Sequence, residues 1–179
     1  MQPGSDTGVS RRKVLATAGV LGAGSVAGCL GFLLDDDDDV DMEDHVDIAV
    51  GPGREDDFDP RLVHLEVGGT ATFFHDSGNH DVTSFHEAND LPQRTPDGTD
   101  PFSDRINNPG DELTISFDQE GVWDVVCVRH DRVGMAMKIV AGSPDLDAEP
   151  GMASAQQGLS SSLQDRINDL NAQARALFE

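Results

Sequence analysis

The sequence predicts an all-β domain, an antiparallel sandwich or barrel, with an N-terminal membrane-targeting segment before it and a short helix after it. Three observations predict this. Seven short stretches alternate apolar with polar residues within about 100 residues. Clusters of Gly, Pro, Asn and Asp separate them, and no helical period interrupts them. The strands are expected near 46–50, 62–67, 69–75, 80–86, 111–117, 121–127 and 135–141. Val63, Leu65 and Val67 carry the alternation in one, and Leu113, Ile115 and Phe117 in another. Turns are expected at Gly68-Gly69, Asp76-Ser77-Gly78-Asn79, Asn108-Pro109-Gly110-Asp111 and Glu120-Gly121. Residues 87–110 are polar and contain Pro92, Pro96 and Pro101, which reads as a loop excursion.

Residues 1–29 read as an address. Ser10-Arg11-Arg12-Lys13 stands directly before an uncharged run from Val14 to Leu34, the pattern of a twin-arginine export signal. The small residues Ser25-Val26-Ala27-Gly28 before Cys29 are like a lipoprotein cleavage site, which would make Cys29 the lipidated first residue. The alternative is an uncleaved span, since about 20 apolar residues cross a bilayer. Several glycines make the run weakly hydrophobic and favour cleavage. Both readings put the rest of the chain on the outer face of the cytoplasmic membrane, tethered to it. Residues 30–44, with five consecutive aspartates at Asp35–Asp39, read as an acidic disordered spacer.

Lys and Arg total 12 against 34 Asp and Glu, a net charge of −22 over 179 residues. Such a surface repels phosphate backbones and excludes a nucleic-acid partner. A folded domain at this charge suits high salt, where the screening length shrinks to a few ångströms. With only Cys29 and Cys127 and no Cys-x2-Cys pair, a disulfide framework and a zinc ribbon are also excluded.

The folded domain is expected over 45–142, and residues 143–154 read as a linker. Residues 155–179 carry an apolar stripe of Leu163, Ile167, Leu170, Ala174 and Leu177, the period of an amphipathic helix. The stripe covers fewer than three heptads. Three fates stand open for it: packing on its own sandwich, self-association or partner docking, or a disordered end.

The chemistry concentrates in four residues. A strand leads into Cys127, His130 follows after two residues, Met135 after four more, and a strand leaves. Such a loop can turn a thiolate, an imidazole and a thioether to one point. Asn79-His80-Asp81-Val82 offers a second imidazole at the start of a strand. Two imidazoles, one thiolate and a weak axial thioether are the blue-copper ligand set. Met137 reads as core, with axial ligation as its alternative, and Trp123 as apolar filler next to the site. His75 and His86 read as exposed strand-end or loop histidines. The four ligands leave no open position, so the chain is not expected to be an enzyme.

Residues 46–142 resemble the plastocyanin branch of the cupredoxins, and among these the halocyanins, the small blue copper proteins of halophilic archaea. The stretches that carry the resemblance are Phe58-Asp59-Pro60, Val67-Gly68-Gly69-Thr70-Ala71-Thr72-Phe73, Asn79-His80-Asp81-Val82-Thr83, Asn108-Pro109-Gly110-Asp111 and Cys127-x2-His130-x4-Met135. The resemblance implies a Greek-key β-sandwich with one type 1 copper held by His80, Cys127, His130 and Met135. It implies that Asp81 supports the thiolate through its backbone N–H. It also implies electron carriage between respiratory-chain components, with redox proteins in the membrane as partners. The chain departs from the family at Arg129, where Pro is usual, and in having Trp123 where Tyr is frequent. Two other roles stand beside electron carriage: copper storage, delivery or sensing, and a docking module worked by the tail helix.

Overall fold

The computed structural model describes residues 42–179. Its elements are β1 (Glu43–Val50), β2 (Phe58–Asp59), β3 (Leu62–His75), β4 (His80–Ser84), β5 (Ser103–Ile106), β6 (Glu112–Ser116), β7 (Gly121–Val126), β8 (Ala136–Ala141) and α1 (Ser161–Ala176). The export signal, Cys29 and nearly all of the acidic spacer lie outside the described residues. Glu43 and Asp44, expected at the end of the spacer, belong to β1.

The stretches expected at 62–67 and 69–75 are one fourteen-residue strand. Its first half pairs in parallel with β8, from Leu62↔Lys138 to Leu65↔Ala141. Its second half pairs in parallel with β1 and antiparallel with β6. Gly68-Gly69 lies between the halves and bends the strand instead of reversing it. Gly68 has φ +90°, which a residue without Cβ adopts at little cost. A Cβ on Gly69 would stand 2.9 Å from the Glu66 carbonyl oxygen. β3 thus belongs to two layers, and the strands hydrogen-bond in the order β2-β1-β3-β8-β7-β4-β5, with β6 also on β3. The two parallel pairs correct the antiparallel expectation; parallel neighbours require a crossover, which the chain makes as it passes between layers. Val46, Ile48 and Phe73 from one layer meet Val82, Val125 and Ile139 from the other in a single core.

Every residue of β7 and β8 is buried, so both faces are covered. Trp123, Val125, Met137 and Ile139 face the sandwich core. The opposite face is covered by the C-terminal segment: Val126 and Ala136 pack on Leu163 and Ile167, and Val122 and Val140 on Met152 and Ala174. The apolar stripe of the tail is therefore spent on the chain's own sheet. The helix is also shorter than 155–179, starting where Ser160 caps it by accepting from the Leu163 N–H at 3.3 Å.

Residues 143–154 are more than a linker. Gly151 and Met152 are buried within a short 3-10 turn, Pro150–Met152. A Cβ on Gly151 would meet the Val122 carbonyl oxygen at 2.8 Å. Its own carbonyl accepts from Arg94 Nη2 at 2.7 Å and from Lys138 Nζ at 2.8 Å. Both cations also bind Asp124, Arg94 Nε at 2.6 Å and Lys138 Nζ at 2.5 Å. Asp124 and Lys138 are direct neighbours in the β7–β8 ladder, and all three side chains are 0–1% exposed. Burial pulls the Lys138 amine below its usual pKa, and Asp124 opposes that pull. Arg94 comes from the expected loop excursion, which also contains a strand the sequence does not announce. β5 is an edge strand on β4, and Ser103, Asp104 and Arg105 are exposed in it.

Asp124→Asn removes the shared anion and leaves two buried cations competing for the Gly151 carbonyl. We expect a loss of about 3–5 kcal/mol, as when one partner of a buried ion pair is deleted. Urea unfolding at low and at molar salt should show the same loss, because buried charges are little screened. An unchanged midpoint would mean that the cluster does not hold the tail to the sheet.

Candidate metal centre

Two elements deliver the donors. His80 opens β4 immediately after the turn at 76–79, and Cys127 follows the last residue of β7. Residues 128–133 then make a tightened 3-10 segment, kinked at His130 (φ −116°, ψ 26°) and ended by Gly134 in the left-handed conformation (φ 79°). Backbone hydrogen bonds close this loop on itself. Cys127 N–H donates to Met135 O at 3.0 Å, His130 N–H to Cys127 O at 3.0 Å, and Met135 N–H to His130 O at 3.2 Å. The helix braces it from outside: Ser160 Oγ donates to Asp131 O at 2.6 Å. A Cβ on Gly134 would lie 2.7 Å from the Ser162 carbonyl oxygen, so helix and loop touch backbone to backbone.

The donor atoms converge. His80 Nδ1 and His130 Nδ1 are 3.1 Å apart. Cys127 Sγ lies 3.3 Å from His130 Nδ1 and 3.9 Å from His80 Nδ1. Metal bonds of about 2.0 Å to nitrogen and 2.3 Å to sulfur in one plane need donor separations of about 3.5–3.8 Å. The observed triangle meets that requirement to within about 0.5 Å, so these residues fit a single first-row metal ion. Met135 is fully buried at the base of the same loop, in one apolar cluster with Cys127. Met137 sits two residues on, inside β8 and in that cluster.

The site is dry on one side and open on the other. His80 is buried, and its pKa is lowered first by desolvation and then by the facing His130. Its Nε2 edge is walled by glycine backbone: a Cβ on Gly51 would lie 2.6 Å from Nε2, and one on Gly78 2.4 Å. The His130 side chain is 26% exposed, and its Nε2 stands 3.6 Å from Asp56 Oδ1. Burial pushes the Cys127 thiol up to about 11. At neutral pH it therefore keeps its proton without a metal, and ligation releases that proton. Asp81 donates its backbone N–H to Cys127 Sγ at 3.4 Å.

The remaining singled-out residues stand apart. Trp123 does not adjoin the donors; it lies four residues up β7, roughly 13 Å at strand rise, and packs edge-on against Phe117 at 5.1 Å. His75 ends β3 with Nε2 3.1 Å from Gly78 O, and His86 accepts from Ala88 N–H at 3.0 Å. Sequence reasoning missed the glycine wall, Asp56 and the helix brace. The first had a signal, since Gly51-Pro52 and Ser77-Gly78 are turn dipeptides; what they press against is a tertiary fact.

Comparison with known proteins agrees with this frame. A family model for copper binding proteins of the plastocyanin/azurin family matches residues 36–142. Pseudoazurin of Methylorubrum extorquens is 33% identical over 92 residues, 51% of this chain and 56% of that protein, so the match spans little more than half of the relative's length. Halocyanin of Natronomonas pharaonis is 29% identical over 162 residues, covering 71% of this chain and 94% of that one. The crystal structure of pseudoazurin from Methylobacterium extorquens AM1 superposes with a TM-score of 0.57 at 29% identity, over 73% of this chain and 98% of that one. With the family's sequence model over more than half of its length and a cysteine sulfur and two imidazoles gathered on a cupredoxin frame, this chain belongs to the plastocyanin/azurin family of copper-binding proteins: it is a blue copper cupredoxin, and copper is its cofactor.

Proposed function

We propose that the chain is a one-electron carrier, with copper held by His80, Cys127, His130 and the axial thioether of Met135. The observation that carries this reading is the convergence of His80 Nδ1, Cys127 Sγ and His130 Nδ1 within 4.8 Å of one another, with only one imidazole reaching the surface. Bound copper supplies a couple between Cu(II) and Cu(I), which soft sulfur and imidazole donors together serve. The chain's own part is to hold the donors still. The backbone-bonded loop, the glycine wall and the helix brace leave the donors little room to rearrange when charge changes.

Four protein donors leave no position for a substrate, which supports carriage over catalysis. The exit for the electron is the exposed edge of His130, flanked by the exposed Val128 and Val133. A redox protein docks at this edge, and we place that partner in the membrane. The N-terminal residues support the location: an exported chain, anchored through a lipid on Cys29, on the outer face of the cytoplasmic membrane. Among the described residues no helix is long and apolar enough to cross a membrane. With its stripe covered by β7 and β8, α1 offers no apolar face for self-association.

Three measurements test these statements. Titration of the detergent-extracted protein with Cu(II) in high salt should give an intense thiolate charge-transfer band saturating at one equivalent, bleached reversibly by reductant and absent in Cys127→Ser. A pale complex indifferent to Cys127 would overturn the carrier and favour copper storage or delivery. Gly78→Ala drives a methyl group into the His80 ring at a left-handed backbone position. It should weaken Cu(II) binding by about tenfold or more, the scale seen when the support of a metal ligand is lost, while Gly98→Ala, which also has positive φ but meets nothing within 4 Å, should not. Finally, the intact mass of the membrane-extracted chain should correspond to a lipid-bearing protein beginning at Cys29; the mass of the uncut chain would establish a spanning anchor.

A further inference from the structure

Beside the sulfur lies a buried carboxylate that the ligand geometry does not require. Asp81 is 9% exposed and follows His80 in β4. Its Oδ1 accepts from Val128 N–H at 2.8 Å and from Thr83 Oγ at 3.0 Å. Its Oδ2 accepts from Arg129 N–H at 3.3 Å and faces Cys127 Sγ at 3.6 Å. Thr83 is itself fixed by Ser103 Oγ at 2.9 Å. Both backbone N–H groups belong to the first two residues of the ligand loop, so one side chain on β4 ties down the start of a loop that leaves β7. Arg105 is the cross-strand neighbour of Asp81, yet among the described residues no cationic nitrogen lies within 4.0 Å of the carboxylate. The charge is held by hydrogen-bond donors and is not cancelled by an ion pair.

The consequence depends on the state of the sulfur. As a thiol, Cys127 can donate to Oδ2. As a ligand it has lost that proton, and two acceptors then face each other across 3.6 Å. Positive charge at the metal position relieves their repulsion, and a doubly charged ion relieves it more than a singly charged one. A carboxamide in this place keeps an accepting oxygen for the loop but carries no net charge.

We propose that the fixed charge of the Asp81 carboxylate, held against Cys127 Sγ, biases bound copper toward Cu(II), lowering the reduction potential. The bias acts on a one-electron couple with no proton transferred. The bias rests on the copper reading above.

The test uses Asp81→Asn and, as a comparison, Asp56→Asn at the half-exposed carboxylate near His130. Asp81→Asn should keep the charge-transfer band and raise the midpoint potential by about 59 mV or more, a tenfold fall in the preference for Cu(II) over Cu(I) for one electron. Competition with a Cu(II) chelator and with a Cu(I) chelator should show the loss falling on Cu(II). Asp56→Asn should shift the potential less, because its charge is exposed and screened in high salt. A potential unchanged or lowered in Asp81→Asn overturns the charge bias. A parent protein that shows no charge-transfer band would instead overturn the copper reading on which the bias rests.

Discussion

Asp124 is the point on which the architecture turns. One buried carboxylate is shared by Arg94 from the long loop and Lys138 from the neighbouring strand, and both cations share the Gly151 carbonyl of the tail. Four segments distant in sequence are thereby locked at one place. The cluster contains two cations and one anion, inside a chain whose net charge is −22. Surface ion pairs in such a protein are weak and fade in salt. This one does not meet solvent, so its geometry persists where the surface electrostatics are screened away.

What the cluster holds bears on the metal centre. Gly151 and Met152 are pinned on one side of β7 and β8, and α1 follows from there across the same sheet. The first turn of that helix presses on Gly134, the residue before Met135. The loop between Cys127 and Met135 is thus closed by its own backbone, tied to β4 by Asp81 and pressed from outside by α1. A site restrained from three directions changes shape little when its charge changes. That is the physical requirement for rapid electron exchange.

The legible part of this structure is the part written locally. Alternation in Val63-Leu65-Val67 and Leu113-Ile115-Phe117 marked real strands, and the step from Cys127 to His130 to Met135 marked a loop that folds back on itself. Elements whose reason lies elsewhere in the chain were not legible. β5 has a polar sequence because it is an edge, and an edge needs no apolar alternation. Gly68-Gly69 looks like a turn, since a positive φ serves a bend and a reversal equally. Residues 143–154 look like a linker, because an accepting carbonyl leaves no mark on composition. Asp124 and Lys138, each a lone charge inside an apolar strand, are the local signs of an ion pair across the ladder.

The glycines beside His80 give the centre a direction. Gly51 and Gly78 both take left-handed conformations and lie against the outer nitrogen of that ring, where no side chain fits. The opposite ring, that of His130, ends near solvent. The two imidazoles are chemically alike and topologically unequal. One is an inner wall, sealed by main chain that no ordinary substitution can open without displacing it. The other is a door. On the proposed exit through His130, electrons arriving and electrons leaving use the same threshold, so a donor and an acceptor would not dock together; the protein would serve them in turn, letting go of one before meeting the next.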